Sequence, residues 1–415
     1  MREYRDGILH IEAVDLRRIV AAVGTPCYVY SRQQIESNWH AYDQAFGQRR
    51  HRVHYAVKAN DNLSIIRVLN YLGSGFDIVS GGELERVLAA GASGVDVVFS
   101  GVGKTRSELM RAVRAGVFCI NIESSGELDR VAEVASVLER PVKLALRVNP
   151  DVDPQTHPYI STGLKESKFG VPVEQAPALY ARMAAHPWLS PVGIASHIGS
   201  QLTSIEPVID AVRQVVSLAE SLRAEGIALE HIDVGGGLGI RYQDEKPPPI
   251  AALVSAVCDL VPVRYAVMME PGRSLIGAAG ILLTTVEYLK QTPAKTFAIV
   301  DAAMNDLMRP ALYDAWHGVI PIEAVSTADT LQHCDVVGPV CESGDWLARG
   351  RDLPIEPGRV LAILDTGAYG FAMTSNYNAR PRPPEVLVDD ETFMIIRARE
   401  SLTELMANER AHLIP

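Results

Sequence analysis

The sequence predicts an α/β protein in which a (β/α)8 TIM-like barrel is followed by a mostly β domain, a β-barrel or sandwich. Three observations predict it. Short apolar runs alternate with amphipathic stretches from about residue 50 to 272, and eight such runs can be counted. Each run is followed by a polar or glycine-rich segment, as expected of the loops at the carboxyl ends of barrel strands. Beyond about residue 275 the helical patterning fades and strand-like runs dominate.

The eight predicted strands cover residues 52–57, 76–79, 95–99, 118–122, 142–148, 192–198, 231–234 and 265–269. Predicted helices at 82–90, 106–115, 126–138 and 206–224 place Leu, Val or Ala at spacings of three or four, opposite a polar face. An open doubly wound sheet is the alternative. It would more often have five to seven strands and carry its glycine-rich turn after the first, whereas here that turn follows the seventh. In the second domain, strands are predicted at 281–289, 296–300, 334–337, 360–364, 385–388 and 393–397. Residues 246–249 and 380–384 are proline-rich loops.

Composition narrows the function class. A chain of 415 residues suggests two domains, and 47% hydrophobic with 21% charged residues is ordinary globular composition. A net charge of −11 argues against a nucleic-acid partner. The five cysteines, Cys27, Cys119, Cys258, Cys334 and Cys341, show no CxxC spacing, so neither a disulfide framework nor a metal site is expected. The charged first seven residues lack the apolar core of a signal peptide, and no apolar run reaches the ~18 residues that span a bilayer. The expectation is a cytoplasmic protein with no membrane partner.

Function in a barrel collects at the strand ends. The first strand leads to Lys58, the second to Ser80, the fourth to Glu123, the sixth to His197 and Ser200, the seventh to Gly235, Gly236 and Gly237, and the eighth to Glu270, Pro271, Gly272 and Arg273. A lysine held among barrel residues loses its proton more readily, which suits imine formation with a carbonyl cofactor. Glycines between a strand and a helix let backbone N–H groups approach a phosphate. A carboxylate such as Glu270 beside a pyridine nitrogen keeps that nitrogen protonated, and His197 can stack on a planar ring. Residues 101–105 (Gly-Val-Gly-Lys-Thr) resemble the end of a P-loop, but the full signature needs glycine at position 98, which is Val98. The loop is too short to wrap a triphosphate.

Residues 55–60, 76–84, 99–105, 147–170, 196–201, 235–239, 270–274, 309–313, 341–345 and 367–382 together resemble the diaminopimelate decarboxylase family, in the alanine-racemase-like (fold-type III) group of pyridoxal-phosphate enzymes. The resemblance covers essentially the whole chain. It implies a pyridoxal-phosphate-binding barrel at 30–273 and a β domain of residues 1–29 and 274–415 that contributes to the active site and the dimer interface of a homodimer. It implies pyridoxal 5'-phosphate as cofactor, joined to Lys58 as an imine. Asp77, Ser80, His197, Ser200, Gly235, Gly236, Gly237, Glu270, Pro271, Gly272, Arg273 and Tyr369 would bind it. Cys341 would be the proton donor, reaching across with Glu342 from the partner subunit, and His197 would join Lys58 and Cys341 in catalysis.

The implied reaction is loss of CO2 from meso-2,6-diaminopimelate to give L-lysine, the last step of lysine biosynthesis. The Cα–carboxylate bond breaks, its electrons pass into the protonated ring, and a general acid returns a proton to Cα. Arg273 and Arg309 can grip the distal carboxylate by forked hydrogen bonds, Glu342 can pair with the distal ammonium, and Tyr313 and Tyr369 can add contacts. Decarboxylases of ornithine or arginine need no partner for a distal carboxylate, so the arginine pair favours diaminopimelate. A different diamino acid, or a silent cofactor-binding homologue, are the alternatives; a silent homologue usually lacks the lysine or the proton donor. One departure stands at residues 397–400 (Arg-Ala-Arg-Glu), where relatives tend to run arginines before Glu, and it bears on tail contacts.

Overall fold

Eight parallel strands close into a barrel: His51–Ala56, Gly75–Ile78, Val97–Phe99, Cys119–Ile122, Val142–Asn149, Leu189–Ala195, His231–Asp233 and Ala266–Met269. Each pairs in parallel with the next, and the eighth pairs with the first, Met269 opposite Val53. This is a computed structural model, and it describes residues 2–152, 168–326 and 329–414. Residues 153–167, within the stretch 147–170 quoted above, therefore lie outside the described residues. All eight strands arise where the apolar runs predict them, with ends shifted by three residues or fewer.

The connecting helices start where polar caps stand. Thr105 caps Arg106–Ala115: its Oγ1 accepts from the Glu108 N–H while Glu108 reaches back to Thr105 N. Gly116 ends the same helix in the left-handed region at φ 67°, where glycine carries no steric penalty. Leu109, Ala112 and Val113 form its buried face. Ser80 and Ser124 cap Gly81–Ala89 and Ser125–Leu138 by accepting from Glu83 N and Glu127 N.

Two compact units are formed, Glu36–Arg241 with Glu245–Leu275, and Met1–Ile35 with Tyr242–Asp244 and Ile276–Pro415. In the second, a mixed sheet runs in the order Trp346–Leu353, Gln332–Val337, Thr296–Val300, Gly280–Gln291, Cys27–Ser31, Glu385–Asp389, Thr392–Arg397. Val360–Ile363 pairs with Gly280–Gln291 and also with Val319–Pro321. Arg2–Arg5, Ile8–Ile11 and Val14–Asp15 form a small antiparallel sheet. Leu9, Ile11, Leu16, Val29, Ile281, Leu283, Val386 and Val388 pack into one apolar core. No helix among the described residues is long and apolar enough to cross a membrane.

Candidate active site

Lys58 leaves the first barrel strand in a short 3-10 turn, Val57–Ala59, and its Nζ lies 2.5 Å from Asp77 Oδ2. Parallel register explains the meeting, since Asp77 stands opposite Ala56, two residues before the lysine. Asp77 is fully buried, and its second oxygen has no hydrogen-bond partner among the described residues. Ser80 uses its Oγ to cap the helix that follows, accepting from Glu83 N at 3.2 Å. Glu83, missed by the sequence reading, accepts from Val79 N at 2.6 Å. Burial pushes its carboxyl up to about 7, against a smaller opposing pull from Lys58.

Across the rim, the seventh strand ends in Asp233, and Gly235 N donates to Asp233 Oδ1 at 2.9 Å. Gly235 O accepts from Glu270 N at 2.8 Å. Gly235 thus ties together two acidic residues from neighbouring strands. It sits at φ 68°, and a Cβ there would lie 2.7 Å from His197 Nδ1. A Cβ on Gly236 would run into the Glu270 carbonyl oxygen, and one on Gly237 into that of Gly199. The loop is therefore bare backbone because no side chain fits.

His197 Nδ1 accepts from Gly236 N at 3.2 Å, which places the ring proton on Nε2. Loss of hydration, and then the charges of Arg147 and Lys58, hold the ring well below its ordinary range, so it is neutral. Arg273 is buried and donates from Nε and Nη2 to Ser200 Oγ at 3.3 and 3.1 Å. Ser200 is thereby left with its own hydroxyl hydrogen to give. Burial, followed by the neighbouring Asp233 and Asp77, raises Glu270 well above the usual carboxylate range. Burial likewise raises Asp233, to about 6.

Arg147 and Glu123 join this rim as a buried ion pair at 3.1 Å, with the guanidinium 4.8 Å above the Phe169 ring and donating to His197 O at 3.4 Å. Arg147 and Asp233 fall inside the predicted strands 142–148 and 231–234 and not in the segments after them, so the sequence does not mark them as strand-end residues.

The P-loop-like segment has a structural purpose. Lys104 is 3% exposed and turns inward. Its Nζ donates to Gly101 O and Asn121 O at 2.7 Å each and to Glu127 Oε1 at 2.8 Å. An ammonium with three internal acceptors has no donor left for a phosphate.

The remaining predicted residues belong to the β unit. Arg309 is buried and donates to His317 Nε2 at 2.8 Å, while His317 Nδ1 lies 2.7 Å from Leu364 O, which fixes the tautomer. The guanidinium also stands 4.5 Å from the Tyr242 ring centre. Tyr313 ends the short helix Arg309–Tyr313, and Tyr369 lies in the left-handed region at φ 56°. Cys341 and Glu342 are exposed, and Glu342 Oε1 accepts from Tyr377 OH at 2.6 Å. Their loop is set by Asp345, whose two carboxylate oxygens accept from Met304 N and Val340 N at 2.6 Å each.

Comparison with known proteins gives the family. The model for pyridoxal-dependent decarboxylases, pyridoxal binding domain, matches residues 32–277. Diaminopimelate decarboxylase of Pseudomonas aeruginosa is 53% identical over 408 residues, 98% of each chain. The chain belongs to the diaminopimelate decarboxylases of the pyridoxal-dependent decarboxylase family. A diaminopimelate decarboxylase of Vibrio cholerae is 50% identical, covering 97% of each chain. The crystal structure of diaminopimelate decarboxylase from Helicobacter pylori complexed with L-lysine superposes with a TM-score of 0.93 at 40% identity, over 96% of this chain and 100% of that one.

Family membership makes the cofactor pyridoxal 5'-phosphate. The residues present fit it. Asp77 Oδ1, Asp233 Oδ2 and Glu270 Oε1 are buried polar atoms with no hydrogen-bond partner among the described residues, and the glycine loop after the seventh strand presents backbone free of side chains.

The departure at Arg397 leaves the tail well held for a diaminopimelate decarboxylase fold. Arg397 Nε donates to Glu385 Oε2 at 2.5 Å, Arg399 Nη2 donates to the Val23, Thr25 and Pro26 carbonyls, and Glu400 Oε2 accepts from Asn376 and from Arg382 N.

Proposed function

We propose that this protein is a carboxy-lyase that removes CO2 from meso-2,6-diaminopimelate to give L-lysine. The observation that carries the reading is the barrel rim. An amine paired with a buried carboxylate, a side-chain-free anion cradle and a buried acid with an open oxygen all stand on strand ends of one barrel. The chain is also 53% identical over nearly its full length to a diaminopimelate decarboxylase.

Bound pyridoxal phosphate supplies the electron sink for the pair released when the Cα–carboxylate bond breaks. Lys58 would hold the cofactor through its carbonyl carbon, and Asp77 Oδ2 accepts from Nζ and so positions the amine. The side-chain-free backbone at Gly237, with the Ser200 hydroxyl that Arg273 orients, would bind the phosphate, while Gly235 and Gly236 shape the turn through their N–H bonds to Asp233 and His197. Pro271 and Gly272 shape the neighbouring turn, where a Cβ on Gly272 would lie 3.1 Å from Ala59 Cβ. Neutral His197 offers a flat apolar face to the ring. Glu270 serves the ring nitrogen. From the β unit, Tyr369 serves cofactor and substrate, Arg309 and Tyr313 the distal carboxylate, Glu342 the distal ammonium, and the Cys341 thiol returns a proton to Cα. Cys341 and Glu342 lie exposed on the isolated chain, which supports a homodimer whose second subunit completes the site; the protein works in the cytoplasm.

Purified protein with pyridoxal phosphate, given meso-diaminopimelate, ornithine or arginine separately, tests the reading. CO2 is expected from diaminopimelate; release from ornithine or arginine alone overturns it.

A further inference from the structure

We propose that Tyr377 is a positioning residue that sets specificity: its hydroxyl holds the Glu342 carboxylate in place for the ammonium at the substrate's distal end. The inference rests on the diaminopimelate reading above and concerns a residue to which that reading gives no part.

Two loops of the β unit meet residue by residue. Tyr377 OH donates to Glu342 Oε1 at 2.6 Å, and Asn378 Oδ1 accepts from Cys341 N at 3.4 Å. Consecutive residues of one loop therefore face consecutive residues of the other, in opposite directions. Both contacts fall on the two residues assigned above to the substrate's Cα and its distal ammonium.

The turn that presents Tyr377 is gripped on both sides by one buried residue, Asn305. The Asn305 carbonyl accepts from Ser375 N at 3.0 Å, its Nδ2 donates to Ser375 O at 3.4 Å, and its Oδ1 accepts from Arg380 Nε at 3.0 Å. Inside the turn, Asn376 Nδ2 donates to Arg380 O at 3.0 Å and to Glu400 Oε2 at 2.6 Å. Asn378 bends the chain at φ 56°, a left-handed conformation in which asparagine is enriched. A tyrosine side chain has two torsions, so a fixed turn goes far to fix its hydroxyl. Glu342 is exposed and has a longer, freer side chain, and the phenol selects among its rotamers.

The donor type matters as much as its place. A phenol gives one hydrogen and no charge, so Glu342 keeps its full negative charge for a ligand cation. A lysine or arginine at position 377 would cancel that charge. Oε2 and the second lone pair of Oε1 stay available to an ammonium. A ligand that carries the distal ammonium therefore gains from the contact, and one that lacks it does not.

The test uses the cofactor-loaded protein and two ligands that differ by one amine. L-Lysine, the proposed product, keeps the distal ammonium and carboxylate; 6-aminohexanoate keeps the chain and the carboxylate but lacks that ammonium. Dissociation constants are read from the change in the cofactor's visible absorbance. Tyr377→Phe removes one oxygen atom and keeps the ring. Because Tyr377 is 44% exposed and water competes for the contact, the change should weaken L-lysine by about threefold to tenfold. It should leave 6-aminohexanoate unchanged. In a Glu342→Ala background the same substitution should cost L-lysine nothing further, because the acceptor is gone. Overturning results are equal weakening of both ligands, an unchanged L-lysine affinity in Tyr377→Phe, or a loss that persists in the Glu342→Ala protein. A parent protein that neither binds L-lysine nor releases CO2 from diaminopimelate would sink the substrate reading itself, a result distinct from these.

Discussion

Lys58 Nζ and Asp77 Oδ2 stand 2.5 Å apart, so the amine waits on the barrel rim already paired with an acid. Lys58→Ala should abolish the visible absorbance of the cofactor-loaded protein. It also strands a buried carboxylate. Breaking a fully buried pair costs about 3–5 kcal/mol; with the lysine side chain 35% exposed, about 1–3 kcal/mol is expected here, read by urea denaturation of the apoprotein. Retention of the absorbance would show that another amine holds the cofactor.

Lys104→Met should destabilise the fold strongly, by about 3–5 kcal/mol, because it leaves Glu127 buried without its cation. ATP binding, followed by calorimetry, should be absent before and after the change. Parent-protein affinity for ATP that the substitution removes would restore the P-loop reading.

His54 and His231 predict acid lability. Both are buried in the barrel, and burial, followed by the Arg52 charge, holds each ring down at about 3. In the unfolded chain a histidine titrates near 6.5, so between pH 6.5 and 3 the unfolded state binds more protons and stability falls as pH falls. Two such groups give at most about 2.7 kcal/mol per pH unit. Glu83 acts oppositely, since its raised pKa of about 7 adds stability at low pH that is lost as pH rises through 7. The clean measurement is therefore the difference between parent and a His54→Gln/His231→Gln double variant in denaturation at pH 7 and pH 5. Equal slopes in both proteins would contradict the assignment.

Glu342→Ala should raise KM for diaminopimelate at least tenfold, the loss of one charge-assisted contact of about 1.5–3 kcal/mol, while leaving the cofactor absorbance in place. An equal loss of cofactor would remove the distal-ammonium role.

His317→Phe should act through Arg309, whose guanidinium it holds at 2.8 Å. KM should rise severalfold with kcat changed less, and Arg309→Lys should behave alike, having lost the planar fork. A fall in kcat with KM constant would assign Arg309 to the chemical step instead.

Much of this was legible in sequence because the barrel writes itself in period and punctuation. Apolar runs marked all eight strands, and Thr105 and Gly116 bracketed a helix whose limits were read correctly at residues 106 and 115. What escaped had a physical reason. Trp346–Leu353 is a sheet-edge strand with Arg349 and Arg351 among its residues, so its apolar alternation is weak. Arg2–Arg5 is polar throughout and forms only by pairing with Ile8–Ile11. Asp233 was taken into the predicted strand 231–234, because the apolar run continues through Val234 and does not show that the strand ends at Asp233, whose carboxyl accepts from Gly235 N. Lys104 misled for the complementary reason, since its neighbours fit an anion loop and only the fold turns its side chain inward.

Asp345 holds the Cys341–Glu342 loop with both of its oxygens before anything docks there. A segment fixed in advance loses little conformational freedom when covered, so more of the contact energy survives as affinity. In the proposed homodimer, cutting that latch by Asp345→Ala should therefore weaken association, so that the subunits part at higher protein concentration than in the parent.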